Sequence, residues 1–221
     1  MSYQLLKDEV IDAGLCQGCG LCVGLCKHLQ LKDRKPDLKD FCIMTKEGQT
    51  CGKCYRSCPQ VRQKKYDHKV PLEIMALQTT DPEIQKRAVS GGFVTTLNKY
   101  LLENKKVSHL IEVKNLNDRP EGVITTDASE VPSYAGIAYG RSGVLEKLVK
   151  VLGEEHEMVG VVGVPCEIRG VAEQEAIMKA NVFKIGLFCN ANIGNTDVDE
   201  KGTVFSRSEE RRVGKECRSR W

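Results

Sequence analysis

Apolar positions between residues 70 and 189 follow the periods of strands and helices in turn. Continuous apolar runs are typical of parallel strands, which are buried on both faces of a sheet. Met158–Val164 is such a run, and Val182–Phe188 is predicted to be a second buried strand. Strands are also predicted at Val107–Val113, which His109 interrupts, at Gly122–Thr126 and at Leu72–Gln78. Because helical patterns separate the later strands, this region is predicted to contain βαβ units and to be α/β.

Two helices are predicted to follow one another early in this region. Asp81 precedes Pro82, the arrangement of an N-cap followed by a proline in the first helical turn, and this helix is expected to end near Val89. The sequence Ser90-Gly91-Gly92 then opens a second helix. Its apolar face is predicted to comprise Phe93, Leu97 and Leu101, widened by Val94 and Leu102.

Two more helices are predicted on either side of the strand at 158–164. The first covers Val144–Leu152, after a turn at Asn115–Pro120 and a glycine-containing loop at Ala135–Gly143. The second covers Glu167–Lys179 and is expected to be interrupted by Gly170.

The first 69 residues lack a sustained strand or helix period. Val10 and Ile11 are predicted to form a short strand, and Leu29–Asp40, which is charged and contains Pro36, is predicted to be a loop. Val61–Lys69 is basic and is predicted to be a linker.

Eight of the eleven cysteines lie between residues 16 and 58, in two groups with the spacing of metal ligands. The first group is Cys16-x-x-Cys19-x-x-Cys22-x-x-x-Cys26. The second is Cys51-x-x-Cys54-x-x-x-Cys58-Pro59, with Cys42 upstream. The four-cysteine run has the spacing of bacterial ferredoxins, in which the fourth cysteine binds the other cluster of a pair.

This spacing predicts two 4Fe-4S clusters with crossed ligands. Cys16, Cys19 and Cys22 are expected to hold the first cluster together with Cys58. The second cluster is assigned to Cys26, Cys51 and Cys54. Its fourth ligand is assigned to Cys42, because the position where a regular run would place a cysteine is occupied by Gly48.

Two other uses of these cysteines compete with iron. Eight thiolates would suit two structural zinc sites, although zinc ligands more commonly come as separate Cys-x-x-Cys pairs. Disulfides are disfavoured, because Met1–Val10 does not resemble a signal peptide and the spacing is too tight for a disulfide scaffold. The pattern therefore favours iron–sulfur chemistry in a reducing, low-oxygen cytoplasm.

The charge balance is informative only once the last residues are set apart. The net charge of +3 comes from 33 basic and 30 acidic residues, and 207–221 contain six of the former and three of the latter, which leaves 27 of each elsewhere. A neutral body does not predict nucleic-acid binding.

No run of 18 apolar residues is present, so no transmembrane helix is expected.

Residues 206–221 show no apolar period and resemble a translated sequencing-library adapter. They are expected to be non-native, with the natural chain continuing beyond about Phe205 and with no function for Cys217. The alternative is a natural disordered basic tail.

Two further sites are candidates in the α/β region. Cys166 and Cys189 each follow a predicted strand, so both are expected at the carboxyl edge of the sheet, where ligands of α/β proteins bind. Two ordinary buried cysteines would fit the spacing equally well. Glycines at 91 and 92 would let a flavin approach helix amides, although a glycine pair is also a common turn. No hydrolytic or nucleotide-binding motif is present, and no catalytic side chain is assigned.

Several motifs together resemble the beta subunits of coenzyme F420-reducing hydrogenases and dehydrogenases. The resemblance covers about Cys16 to Gly194. It rests on the cysteine-rich leader and on Pro82-Glu83-Ile84-Gln85, Ser90-Gly91-Gly92-Phe93-Val94-Thr95, Ala135-Gly136 with Tyr139 and Ser142, Val162-Gly163-Val164-Pro165-Cys166 with Ile168 and Gly170, and Lys184-Ile185-Gly186-Leu187-Phe188-Cys189.

The resemblance implies an iron–sulfur flavoprotein that works with a hydrogenase, dehydrogenase or reductase subunit. FAD is expected to convert single electrons from the clusters into a hydride for coenzyme F420 or a similar carrier. The resemblance assigns FAD contacts to Ser90, Gly91, Gly92, Tyr139 and Ser142. It assigns Cys166 and Cys189 to a further cluster, completed in the family by a later Cys-x-x-Cys that is not found in this sequence.

The expected fold class is therefore α+β, a small ferredoxin-like iron–sulfur domain followed by an incomplete α/β flavin-binding domain. The expected divisions are 1–68, 70–205 and the tail at 206–221. The expected function is electron transfer between the clusters and FAD to reduce or oxidise F420 or a similar acceptor. A ferredoxin-like carrier without flavin chemistry and a zinc-stabilised interaction module are the alternatives.

Overall fold

The structure, a computed structural model, describes residues 2–43, 51–61, 71–116, 119–136, 138, 140–152, 158–178 and 181–189. The predicted linker beyond Val61 and the tail at 206–221 lie outside these residues. In the cysteine-rich part the elements are α1 (Ser2–Leu6), which continues as a π-helical turn (Lys7–Ile11), α2 (Leu21–Leu25), β1 (Leu29–Lys32), β2 (Lys35–Leu38) and α3 (Lys53–Ser57).

The later part contains a four-stranded sheet with helices. Its elements are α4 (Pro82–Arg87), α5 (Phe93–Glu103), β3 (His109–Leu116), β4 (Arg119–Thr125), a 3-10 helix (Val131–Tyr134), α6 (Val144–Val151), β5 (Val159–Gly163), α7 (Pro165–Met178) and β6 (Val182–Gly186). The strand order is β4-β3-β5-β6. Strand β4 is antiparallel to β3, whereas β5 is parallel to both β3 and β6. The predicted βαβ unit is therefore confirmed as β5-α7-β6.

Three features of this region that the sequence predicts are confirmed: the N-cap of α4, the buried strand β5 and the inward face of α6. Asp81 caps α4, since its side chain accepts hydrogen bonds from the backbone N–H groups of Glu83 and Ile84. Strand β5 is buried throughout, as its continuous apolar run predicts. Helix α6 buries Leu145 and Leu148.

Several boundaries and faces differ from the prediction. Residues 71–80 form no strand, and Leu72 is fully exposed there. Strands β3 and β4 extend into the predicted turn at Asn115–Pro120. Helix α7 begins at Pro165 and is not interrupted at Gly170. Strand β6 ends at Gly186 and lies at the sheet edge, and only Val182 and Ile185 of its five residues are buried.

Phe93, at the start of α5, is exposed, contrary to the prediction. The rest of the predicted apolar face is confirmed, since Leu101 and Leu102 are buried and Val94 and Leu97 pack against the same core. The buried residues are Asn98, Leu101 and Leu102. Asn98 can be buried because its side-chain amide donates to Glu112 Oε2 on β3 at 3.0 Å. Apolar spacing could not reveal this polar contact.

Two predictions in the cysteine-rich part are wrong. Val10 and Ile11 are helical rather than extended. Residues 29–40 contain the β1–β2 hairpin rather than a loop without strands, and Pro36 is tolerated in β2. The hairpin turn places Asp33 and Arg34 in the left-handed backbone region. Such a turn is usually recognised in a sequence by a glycine, and neither turn position has one here.

The cysteine-rich part shares a core with the sheet. Leu21 of α2 is fully buried among residues that include Ile111 and Leu145. The backbone N–H of Leu145 donates to the Cys19 carbonyl at 2.8 Å, and the N–H of Gly143 donates to the Gly18 carbonyl at 3.1 Å. The loop before α2 therefore supplies acceptors for the first turn of α6.

Within the described residues, no helix combines the length and apolar character needed to cross a bilayer.

Gly20 allows this close approach. Its φ is +84°, and a Cβ there would lie 2.9 Å from the Gly143 carbonyl oxygen and 3.0 Å from the Glu146 amide nitrogen. We expect Gly20→Ala to lower the free energy of unfolding by about 2–4 kcal/mol, from backbone strain together with overpacking. Urea denaturation of the anaerobically prepared protein measures the change.

Gly14→Ala is the matched control for this prediction. Gly14 also has a positive φ, +73°, but nothing lies within 4 Å of a Cβ built there. Only backbone strain is expected, about 1–2 kcal/mol. Equal losses in the two variants would contradict the close packing of the two parts at Gly20.

Candidate functional site

Four cysteines from two distant segments surround one pocket. Cys16, Cys19 and Cys22 reach it from the loop before α2 and from α2 itself, and Cys58 reaches it from the end of α3. These are the residues that the crossed spacing assigns to the first cluster. Cys166, at the start of α7, lies on the wall of the same pocket.

Backbone amides point at the sulfur atoms of this pocket. The N–H of Gly18 donates to the Cys16 thiol, the N–H of Leu21 to Cys19 and the N–H of Gln60 to Cys58. The left-handed conformation at Gly18, with φ of +64°, helps to turn its amide toward the sulfur. Hydrogen bonds of this kind stabilise negative charge on sulfur.

Burial has the opposite effect on these thiols, and it is the stronger effect. Burial raises the pKa of Cys58 to about 11 and raises the pKa values of Cys19 and Cys22 well above the usual range for a thiol. The thiolate form is therefore costly in this pocket without a compensating positive charge. Iron would provide that charge and would release the protons on binding.

A second group of cysteines adjoins the first. Cys26 and Cys42 lie close enough to Cys54 for a negative charge on either sulfur to raise the pKa of Cys54. A charge on Cys54 would in turn raise the pKa of Cys22, so Cys54 also lies near the first group. Ser2 Oγ lies 3.0 Å from Cys54 Sγ. Cys51 is more open to solvent, and hydrogen bonding to the Lys53 N–H lowers its pKa.

The thiol groups are open rather than tightly convergent. Among the described residues, which include all eight N-terminal cysteines, no three Cys, His, Asp or Glu side chains are close enough together to hold a single metal ion.

Glu167 is a buried carboxyl group beside the pocket that the sequence motifs did not single out. Its Oε2 accepts a hydrogen bond from the Val164 N–H at 3.0 Å. Burial raises its pKa to about 7, and its negative charge would raise the pKa of Cys19. In the sequence, only its position directly after Cys166 could have indicated that Glu167 lies near the site.

The sequence also did not predict the positions of two other polar residues near the thiols. Ser2 contacts Cys54 across 52 positions of sequence, and Arg169 donates from Nη2 to the Pro59 carbonyl at 2.5 Å across 110 positions. No local spacing rule connects residues that far apart.

The glycine pair predicted to contact FAD is held by internal packing. Gly91 and Gly92 have φ values of +68° and +71°, and a Cβ at Gly91 would lie 2.9 Å from the Leu77 carbonyl oxygen. A Cβ at Gly92 would lie 2.8 Å from Thr79 Cγ2. Both glycines are therefore required by the fold itself, whereas the neighbouring Ser90 is exposed.

The described ends of the loop at 135–143 lie near the end of α4 and beside the first cysteine loop. At one end a Cβ on Gly136 would lie 4.0 Å from the Arg87 carbonyl, at the end of α4. At the other end Gly143 bonds to Gly18. Ser142 is buried, and its carbonyl accepts from the Gly122 N–H at 2.9 Å. Tyr139 lies outside the described residues.

Cys166 and Cys189 do not share the pocket described above. Cys166 lines it, whereas Cys189 follows the sheet-edge strand β6 and is not among the lining residues. Both still lie beyond the carboxyl ends of neighbouring parallel strands.

Comparison with known proteins agrees with the motifs. The family model described as "Coenzyme F420 hydrogenase/dehydrogenase, beta subunit N-term" matches residues 74–149. A coenzyme F420-dependent sulfite reductase of Methanocaldococcus jannaschii is 34% identical over 173 residues, which are 76% of this chain and 26% of that protein. An F420-dependent formate dehydrogenase subunit beta of the same organism is 34% identical over 128 residues, 55% of this chain and 33% of that subunit.

The chain thus spans about a quarter of the length of the sulfite reductase and about a third of the length of the formate dehydrogenase subunit. A chain of the F420-reducing NiFe hydrogenase complex from Methanosarcina barkeri aligns with a TM-score of 0.49 at 25% identity, over 54% of this chain and 45% of that one. The residues matched by the family model include the motifs at Pro82 and at the glycine pair. Through residues 74–149, the chain belongs to the coenzyme F420 hydrogenase/dehydrogenase beta-subunit family.

Proposed function

We propose that this chain is the electron-transfer part of an F420-linked oxidoreductase. In this proposal the first 4Fe-4S cluster is held by Cys16, Cys19, Cys22 and Cys58, and the second by Cys26, Cys42, Cys51 and Cys54. FAD is held by the α/β region at Ser90, Gly91, Gly92, Tyr139 and Ser142. The F420-linked names of the relatives support coenzyme F420, or a similar hydride carrier, as the partner of the reaction.

The observation that supports this proposal most strongly is the shared pocket of Cys16, Cys19, Cys22 and Cys58. Cys58 comes from a segment more than thirty positions away from the other three, and ferredoxin spacing requires this crossing. A zinc module built from adjacent Cys-x-x-Cys pairs would not need it.

The chain's own groups suit a cluster in this pocket. Backbone amides donate to the sulfurs, burial excludes water, and Arg141 and Lys35 favour negative charge at Cys16. Hydrogen bonds to sulfur and local charge are the protein's means of adjusting a cluster's reduction potential.

The loop at 135–143 supports a flavin near the first cluster. Gly143 at the end of this loop is hydrogen-bonded to Gly18 of the Cys16–Cys22 loop, so a ligand that contacted the neighbouring Ser142 would lie near the proposed first cluster. FAD, when bound, would supply the conversion between single electrons and a hydride. The chain would contribute positioning and exclusion of water.

A ferredoxin-like carrier without flavin is the second candidate, and one observation favours it. Packing against Leu77 and Thr79 already accounts for both glycines of the Ser90-Gly91-Gly92 turn, without any ligand. A direct measurement of flavin binding separates the two candidates.

The cluster assignment predicts that the two ligand groups lose iron independently. After anaerobic reconstitution, Cys58→Ala and Cys54→Ala are each expected to retain about half of the wild-type iron and acid-labile sulfide, because each removes a ligand from a different cluster. The double variant is expected to retain almost none. Iron and sulfide assays, together with electron paramagnetic resonance of the reduced protein, measure the outcome.

Cys217→Ala is the control for these variants, because Cys217 lies outside both ligand groups. It should retain the full iron content. A wild-type protein that binds zinc but neither iron nor sulfide would refute the assignment.

Flavin binding is predicted to depend on Ser90. Ser90→Ala should weaken FAD binding about tenfold, the loss expected for one hydrogen bond to a charged group, and should leave iron content unchanged. Ser133→Ala is the control, since Ser133 is equally exposed but lies in the 3-10 helix. Quenching of FAD fluorescence during titration measures the affinity, and a wild-type protein without FAD affinity would favour the carrier.

A further inference from the structure

Arg169 connects the α/β body directly to the first cysteine pocket. It lies in the second turn of α7, and its Nη2 donates to the carbonyl oxygen of Pro59 at 2.5 Å. Pro59 follows Cys58 and lines the pocket with it. The guanidinium is thus tied to the backbone beside the one cysteine that comes from the second motif.

Helix packing holds this contact in place. A Cβ at Gly170 would lie 3.3 Å from Leu21 and 3.4 Å from Pro59, so α7 lies against both cysteine segments. Gly170 is buried and Arg169 is half-buried. A charge at the end of a long side chain is usually mobile, but this one is held at a defined place next to the pocket.

Charges of both signs surround the pocket. Arg169 lies close enough to Cys58 to interact with it electrostatically. Arg141 and Lys35 do so with Cys16, and the carboxyl group of Glu167 does so with Cys19. Among these cations, Arg169 has a direct hydrogen bond to the residue that follows a proposed ligand.

We propose that Arg169 raises the reduction potential of the cluster held by Cys16, Cys19, Cys22 and Cys58. This inference rests on the proposed function. Reduction adds one electron from a one-electron donor and forms or breaks no bond, so the site gains one negative charge. A cation held nearby in a region of low dielectric constant stabilises the more negative, reduced state.

The test compares Arg169→Gln with the wild-type protein, both with their clusters reconstituted. Glutamine keeps a hydrogen-bond donor for the Pro59 carbonyl but removes the charge. The potential is measured by stepwise reduction with dithionite in the presence of mediators, followed by electron paramagnetic resonance. The signal of the first cluster is the one that is absent from Cys58→Ala.

We expect the midpoint potential of that signal to become more negative in Arg169→Gln, while the other cluster's potential changes less. Lys106→Gln is the matched control, because Lys106 is an exposed lysine after α5 whose loss removes the same charge. Its potentials should equal those of the wild-type protein. An unchanged first potential in Arg169→Gln, with wild-type iron content, would overturn the inference.

Arg169→His provides a second variant in case glutamine prevents assembly. A histidine at this position should give a first-cluster potential that rises as pH falls through the histidine pKa, more steeply than in the wild-type protein. If both variants lack the first cluster while the wild-type protein contains it, Arg169 serves assembly and the inference is wrong. If the wild-type protein itself assembles no cluster, the proposed function fails instead.

Discussion

The backbone contact between the first cysteine loop and helix α6 is the constraint on which the rest of the structure depends. The carbonyls of Gly18 and Cys19 accept hydrogen bonds from Gly143 and Leu145, at a helix start where amides have no partner within the helix. This contact aligns α2 with α6, and Leu21 then enters the core under the sheet. The cysteine pocket is consequently built against the α/β body rather than on a separate module.

The thiols that line the pocket come from three parts of the chain. The loop before α2 and the end of α3 provide the four thiols, and the first turn of α7 provides Cys166. Since α7 follows the buried strand β5, the start of the helix is positioned by the sheet. The pocket therefore lies close to the edge of the sheet where ligands of α/β proteins usually bind.

The electrostatics of the pocket reflect competition between burial and local dipoles or charges. Burial raises the pKa of Cys58 despite backbone amides and the charge of Arg169, both of which lower it. Burial therefore favours the protonated form of the pocket thiols.

Sequence alone determined those features that depend on local spacing and backbone chemistry. The period of the apolar residues identified β5 and α6, the Asp81-Pro82 pair identified the start of α4, and the cysteine spacing selected the four residues that the structure brings around one pocket. Only the tertiary structure decided that residues 71–80 form no strand, that β6 lies at an edge and that Phe93 faces solvent. It also decided the contacts of Ser2, Glu167 and Arg169 with the cysteine segments. The contacts of Ser2 and Arg169 join surfaces that are 52 and 110 positions apart in the chain, and such packing leaves no periodic signal in the residues themselves.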